Sequence, residues 1–552
     1  MRIGERGARR AVIGVFVFIA LVGALWFGDY GVSVDEPTEL WTAQYNYDLV
    51  KNLLLGSNSA DRDPDADAYL LDSFALRFYG TALQMPLIVL NDAVRLLRGY
   101  PLEERAQYLL RHLWTFLLFY GALICFYRSL MRQTGRRWLS LAGTGMLWLC
   151  PRIFAQAFYN IKDIPFLCCM VFLAAATQRM LQSGRKPRWC LLVAALGALT
   201  VSVRTIGAIW LVLLVFAMLV SDLSGRRFSP GEVGARGFKR AVPYLLVCCA
   251  FPIWLLLMPC SWSAPVAYVQ EAVQTFLNYV TWRGDSVFNG RLVAYNEVPR
   301  GYFLVWMGLT IPLVYQLLAA VGIVAFVRRG IRKPAKGAGS MDAATRTVMV
   351  MLLAVLVIVP GYQILTKPVV YNGWRHVFFL YPMLVAFAVD GLSRMLDAAG
   401  RVRGGLLRAA IIAAVSGSLL FNAAHIAWAH PYEYATYNVI GMQAAKRFDR
   451  DYWKLSNRQA FQYLLDTEDG EISLVCLDGA YEPFLTGEQI FTDAQQARLR
   501  FAGSLEHAAY AVVNCRYLID TNTLELPGFT EVAAFGVDGV KLVSVQQRLG
   551  DG

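Results

Sequence analysis

The chain has 552 residues, of which 57% are hydrophobic and 17% charged, with a formal net charge of +12. A soluble protein of this size carries roughly a quarter charged residues. Here the apolar residues form long runs with no polar face, such as AVIGVFVFIALVGALWFG, which excludes a soluble enzyme and points to helices that span a membrane. The bases sit in short clusters between these runs, as in cytoplasmic loops, so no nucleic-acid partner is expected.

In chain order, the basic stretch MRIGERGARR precedes a first span over about 11–28. No small-residue cleavage site follows, so this reads as an uncleaved helix with the N-terminus inside. The stretch from Asp29 to Asp72 holds ten acids against Lys51 and Arg62 and reads as outside. The segment 74–97 is apolar but carries Arg77, Asp92 and Arg95, and reads as interfacial helices within an outer loop 29–111. Further spans are expected over about 112–130, 138–154, 164–181, 189–203, 206–221, 241–258, 303–327, 347–365, 377–395 and 406–424, and every inner loop so defined is basic. The fold class is therefore an all-α polytopic membrane bundle of about eleven helices, residues 1–428. The texture changes after that. SLVCLD and YAVVNCRYLI alternate with NRQAFQYLLDT, the pattern of a small extracytoplasmic α/β domain over 429–552. Cys476 and Cys515 fall in this tail and could pair there or remain buried thiols.

Chemistry is expected where polar residues meet one face of the bundle. SVDEPTE places Asp35 and Glu36 beside each other after the first span. Such carboxylates serve as a general base or hold a divalent cation, or simply cap a helix. NIKDIP supplies Asn160, Lys162 and Asp163. Arg204 lies at the tip of the hairpin between two spans. YNGWRH joins Tyr371 and Trp374 to Arg375 and His376, a guanidinium fork suited to phosphate beside flat rings suited to a sugar. HPYEYATYN and DYWKLS bring His430, Tyr432, Tyr434, Asp451 and Trp453 to the roof of the same face or to the packing of the tail.

In that order the DE pair, YNIKDIPF, YNGWRHVFFLYP, HPYEYATYN and DYWKLS resemble bacterial membrane glycosyltransferases of the protein O-mannosyltransferase-like, GT-C type, with matches from about residue 30 to 465. The resemblance implies a GT-C-like fold in the plasma (inner) membrane and a place in cell-envelope assembly. It implies an inverting enzyme that moves a hexosyl or pentosyl group from a polyprenyl-phosphate donor, among membrane lipids, to a hydroxyl of a glycan, lipid or protein acceptor. Asp35, with Glu36 as its partner, would act on the acceptor. Arg375, His376, Lys162 and Arg204 would hold the donor phosphate. Asp163, Asn160, Tyr371, Trp374, His430 and Tyr432 would contact sugar or acceptor. A divalent metal, if used, would fall to Asp35, Glu36 and Asp163. The chain departs from many relatives at Ile161, where they have proline, and at Lys454, where related tails read DYWG. The competing reading is a transporter or flippase for lipid-linked glycans, which calls for repeated halves and polar residues at helix centres. The mostly apolar helix centres favour chemistry at one face.

Overall fold

The computed structural model describes residues 5–55, 75–224, 235–277, 282–331, 341–402, 405–478, 482–483 and 487–549. Its helices are α1 Glu5–Trp26, α2 Glu36–Leu55, α3 Met85–Arg98, α4 Glu104–Thr134, α5 Arg137–Trp148, α6 Pro151–Tyr159, α7 Asp163–Gln182, α8 Pro187–Val203, α9 Ala208–Ser224, α10 Ala235–Cys248, α11 Ala250–Leu256, α12 Pro265–Leu277, α13 Tyr302–Thr310, α14 Leu313–Ile331, α15 Ala343–Thr366, α16 Leu380–Ala399, α17 Leu406–Ala429, α18 Asn457–Thr467 and α19 Asp493–Gln496.

Eight helical stretches among the described residues are long and apolar enough to cross a membrane, making this an integral membrane protein. The count of about eleven spans and the count of eight differ for physical reasons. The expected span 138–154 is two helices, broken before Pro151. α8 has only 17 residues. α16 is long enough but carries Asp390, Arg394 and Asp397. The expected span 303–327 is also two helices, interrupted at Ile311 and Pro312, since proline lacks the N–H that the helix ladder needs, but its second part, Leu313–Gly330, is still one of the eight. The carbonyls freed there are met by side chains: Asn438 donates to the Gly308 and Ile311 oxygens at 2.7 and 2.8 Å.

The acidic stretch expected as loop instead opens with α2, whose start is written in SVDE. Glu36 reaches back to accept the Ser33 N–H at 2.7 Å, half of an S-x-x-E capping box. α3 has 14 residues, roughly 21 Å of helix, short of the roughly 30 Å of a hydrocarbon core.

Polar contacts sort by bundle end. Arg136–Asp397, Arg185–Asp222 and Gln182–Asp342 join the segments expected inside. Asp35–Arg375, Lys162–Glu39 and His430–Asp29 join those expected outside. Helix packing is closest between α14 and α16. A Cβ on Gly322 would stand 1.9 Å from the Phe387 carbonyl oxygen, and one on Gly391 would stand 2.2 Å from that of Leu318. Small residues allow this backbone approach between membrane helices. Gly322→Ala is therefore expected to destabilise the bundle by about 1–3 kcal/mol, read as a lower Tm in detergent. Gly308→Ala, with nothing within 4 Å of the new methyl, should leave Tm unchanged or slightly raised.

The tail forms one sheet in the order β4-β3-β6-β8-β7, with β3 Ile472–Asp478, β4 Glu482–Pro483, β6 Tyr510–Asn514, β7 Phe529–Val537 and β8 Val540–Arg548, while β5 Leu499–Phe501 also pairs with β3. β3 and β6 run parallel, and β8 is antiparallel to both β6 and β7. α18 packs on one face, and that core also takes in Val32 and Tyr108 from the bundle. A separate hairpin, β1 Asp285–Phe288 and β2 Arg291–Ala294, turns at Asn289-Gly290, both with left-handed φ, as two-residue hairpins require. Cys476 and Cys515 are both buried free thiols, so the possible disulfide is absent. Cys476 shares the face of Val512, whereas Cys515 is in phase with Val513 on the opposite face.

Candidate active site

Four segments distant in sequence meet at the end of the bundle beneath the tail. Asp35 arrives at the start of α2, Lys162 just before α7, Arg204 just after α8, and Tyr371, Arg375 and His376 from the segment before α16. All six line one cavity of about 270 Å³. The YNGWRH turn explains how the last three arrive there. Asn372 and Gly373 both have left-handed φ, which folds the chain back on itself, and the Gly373 N–H donates to the Tyr302 hydroxyl at 3.1 Å. The cavity is also lined by Glu39 and Tyr79, which sequence reasoning did not single out. Glu39 could have been found: its N–H donates to the Asp35 carbonyl, and residues four apart share a helix face.

The charges close into three pairs. Arg375 Nη1 lies 2.6 Å from Asp35 Oδ2, and Lys162 Nζ lies 2.6 Å from Glu39 Oε1, while Arg204 pairs with Asp163. Arg375 sits in an aromatic cage, its guanidinium carbon 4.6 Å from the Tyr371 ring centre, 4.7 Å from Trp453 and 5.2 Å from Tyr452. Burial is the largest single influence and works against its charge, but Asp35, Tyr371, Tyr452 and Asp163 together outweigh it and raise the guanidinium above its ordinary value. Lys162 also stands 3.6 Å from the Tyr79 ring centre. The Arg375 Nε and Arg204 Nε atoms are buried without a hydrogen-bond partner, so both forks keep donor capacity.

His376 is driven well below its ordinary value of 6.5, first by burial and then by Arg375, Arg204 and Lys162. The folded protein therefore keeps this imidazole neutral where an unfolded chain takes up a proton. Stability is lost as pH falls below about 6.5, because the unfolded state then binds more protons. His376→Gln should flatten the acid side of a Tm-against-pH curve measured in detergent. An unchanged acid limb would remove His376 as its cause.

The remaining candidates stand behind the cavity or away from it. Glu36 has no exposed side-chain surface and bonds His112 Nε2 at 3.0 Å as well as the Ser33 N–H, so it caps and packs. Asp163 is buried behind Arg204. Asn160 Oδ1 accepts the N–H groups of Lys162 and Asp163, and its amide donates to Asp163, shaping the NIKDIP turn. Trp374 is buried, its indole N–H donating to Thr310 Oγ1 at 2.8 Å. His430 stacks on Trp26 at 4.2 Å and lies between Glu433 and Asp29, tying the end of α17 to the end of α1. Neither His430 nor Tyr432 lines the cavity. Asp451 is buried and accepts the Ser456 N–H at 2.9 Å. As possible metal ligands, Asp35, Glu36 and Asp163 do not converge, each holding a different partner, and no group of three or more ligating side chains occurs among the described residues.

The DYWK turn contributes Trp453 and Tyr452. Lys454 takes a left-handed φ of 59°, a conformation glycine adopts at less cost, and its ammonium pairs with Asp478 of β3 at 3.1 Å. No protein-family model matches the chain, and no curated protein matches it. Among solved structures, ArnT from Cupriavidus metallidurans bound to undecaprenyl phosphate aligns over 97% of this chain and 98% of its own, at 14% identity and a TM-score of 0.42. The arabinofuranosyltransferase AftD from Mycobacteria aligns over 82% of this chain at 15% identity and a TM-score of 0.33. The aligned region spans only 36% of the AftD chain. Similarity at this level carries no functional argument.

Proposed function

We propose that the protein is an inverting membrane glycosyltransferase of GT-C type that moves a sugar from a polyprenyl-phosphate donor to an acceptor hydroxyl. The observation that carries this reading is the meeting of Asp35 and Arg375, 340 residues apart in sequence, in one cavity at one end of an apolar bundle. The motif resemblance supports it, and the basic loops at the other end support a cytoplasmic N-terminus with the site and tail on the outer face.

The donor phosphate displaces Asp35 from Arg375, and Lys162 and Arg204 add to the positive wall. Asp35, so released, takes the proton from the acceptor hydroxyl. The acceptor oxygen forms a bond to the anomeric carbon as the bond from that carbon to the phosphate oxygen breaks. The electron pair leaves with the polyprenyl phosphate, whose growing charge Arg375 offsets. The base is thus available only when the phosphate is seated. Tyr371, stacked on Trp282 at 4.0 Å and lying under the Arg375 guanidinium, braces that guanidinium at the cavity wall.

Mass spectrometry of lipids that copurify with the protein tests the donor class. A polyprenyl-phosphate sugar is expected. Absence of such a lipid, together with no sugar transfer from any polyprenyl-phosphate sugar added to the reconstituted protein, would sink the proposal.

A further inference from the structure

The largest cavity described lies at the other end of the bundle and plays no part in the chemistry above. It has a volume of about 1200 Å³ and opens between α1, α5, α16 and α17. α16 measures its distance from the active site. Arg375 and His376 precede the helix, whereas Leu392, Leu396, Asp397 and Gly400 line the second cavity at its far end. Leu392 lies twelve residues along the helix from Leu380, roughly 18 Å, and the mouth at Gly400 lies a full helix length away, roughly 30 Å, about one hydrocarbon thickness.

The cavity exists because α1 and α17 are joined at one end only. Near the active site, Trp26 stacks on His430 and Asp29 pairs with it at 3.1 Å. Toward the opposite end α17 buries nothing before Val415, and α1 buries only Ala8 before Ile19. The walls between them are apolar, lined by Val15 and Ile19 of α1, Ile412 and Leu419 of α17, and Trp148 of α5. The mouth is basic. Arg136, Arg137, Arg401 and Arg408 line it with Asp397. Arg136 pairs with Asp397 at 2.8 Å, and Arg137 lies 3.9 Å from Glu5. Arg401 and Arg408 are exposed, and neither has an ion-pair partner among the described residues. Four guanidiniums against two carboxylates leave two positive charges over an acyl-chain-sized apolar slot.

The geometry points to a binding site for an anionic diacyl phospholipid from the leaflet opposite the active site, its acyl chains between α1 and α17 and its phosphate at Arg401 and Arg408. Basic residues at the membrane surface attract anionic head groups, and the apolar slot distinguishes a seated lipid from diffuse attraction. This reading does not depend on the transferase assignment, and its test does not use sugar transfer.

Native mass spectrometry of the full chain in detergent, titrated with phosphatidylglycerol, phosphatidylethanolamine or undecaprenyl phosphate, provides the measurement. Phosphatidylglycerol is expected to bind in preference to the other two. The double variant Arg401→Gln/Arg408→Gln should weaken that binding about thirtyfold. Ser416→Trp, which fills the slot and keeps the arginines, should weaken it as well. Equal binding of phosphatidylethanolamine, a preference for undecaprenyl phosphate, or unchanged phosphatidylglycerol binding in either variant would overturn the assignment.

Discussion

Asp35→Asn is expected to abolish sugar transfer in protein reconstituted into lipid, with a loss of about 10²–10⁴ in kcat, while the protein stays folded and donor binding is kept or tightened, because the carboxylate no longer competes for Arg375. The geometry singles out this carboxylate. Its side chain is 35% exposed, whereas that of Glu36 is fully enclosed. Asparagine keeps the shape and a hydrogen bond toward Arg375 but cannot accept the acceptor's proton. Glu36→Gln should behave differently. It disturbs the contact with His112 and the cap on Ser33, so the expected effect is a lower Tm with little change in the turnover of folded protein. Glu39→Gln is the control for mistaken identity, because Glu39 also lines the cavity. If Glu39→Gln stops transfer and Asp35→Asn does not, the base is Glu39 and the assignment of Asp35 fails.

Arg375→Ala should raise the donor KM by about 10²–10³ and leave the acceptor KM nearly unchanged. Truncating one partner of a buried, charge-assisted pair costs about 2–5 kcal/mol, and Arg375 is buried among three aromatic rings that a lysine ammonium cannot fill. Arg375→Lys should recover only part of the loss, since a lysine presents a point charge without the bidentate fork. Arg204→Ala should cost less, because that guanidinium already answers Asp163. Steady-state kinetics with donor and acceptor varied separately, in liposomes, provide the test. An unaltered donor KM in Arg375→Ala would remove the phosphate role.

Much of the bundle could be read from residue order alone, because a helix that is apolar all round has nowhere to lie but lipid or other apolar helices. The helix breaks at Pro151 and Pro312 and the Asn289-Gly290 hairpin were present as signals, yet the apolar runs around them masked the first two and the long loop the third. Site residues divided by direction, which a motif does not encode. Asp35 and Glu36 are neighbours in sequence, but one side chain faces the cavity and the other turns back into the cap. The S-x-x-E spacing is the clue that separates them. Asn160 and Asp163 belong to the right loop and shape it from beneath, whereas His430 lies in a conspicuous motif and ties two helix ends together. Tyr452 lies in the DYWKLS motif, where its neighbours Asp451 and Trp453 drew the attention, and Arg516 carried no signal, since its importance comes from long-range folding.

Those two residues change how the C-terminal portion should be regarded. Tyr452 lies between two guanidiniums, with the Arg375 carbon 5.2 Å and the Arg516 carbon 4.6 Å from its ring centre. Arg516 follows β6 and donates to the Asp285 carbonyl at 2.8 Å. The sheet therefore acts as a buttress for Arg375 instead of hanging beside it as a replaceable module. Grafting this tail onto another bundle, or trimming it to simplify purification, would leave Arg375 braced on one side only. Any apparent substrate preference of such a chimera would then report lost support as much as altered recognition.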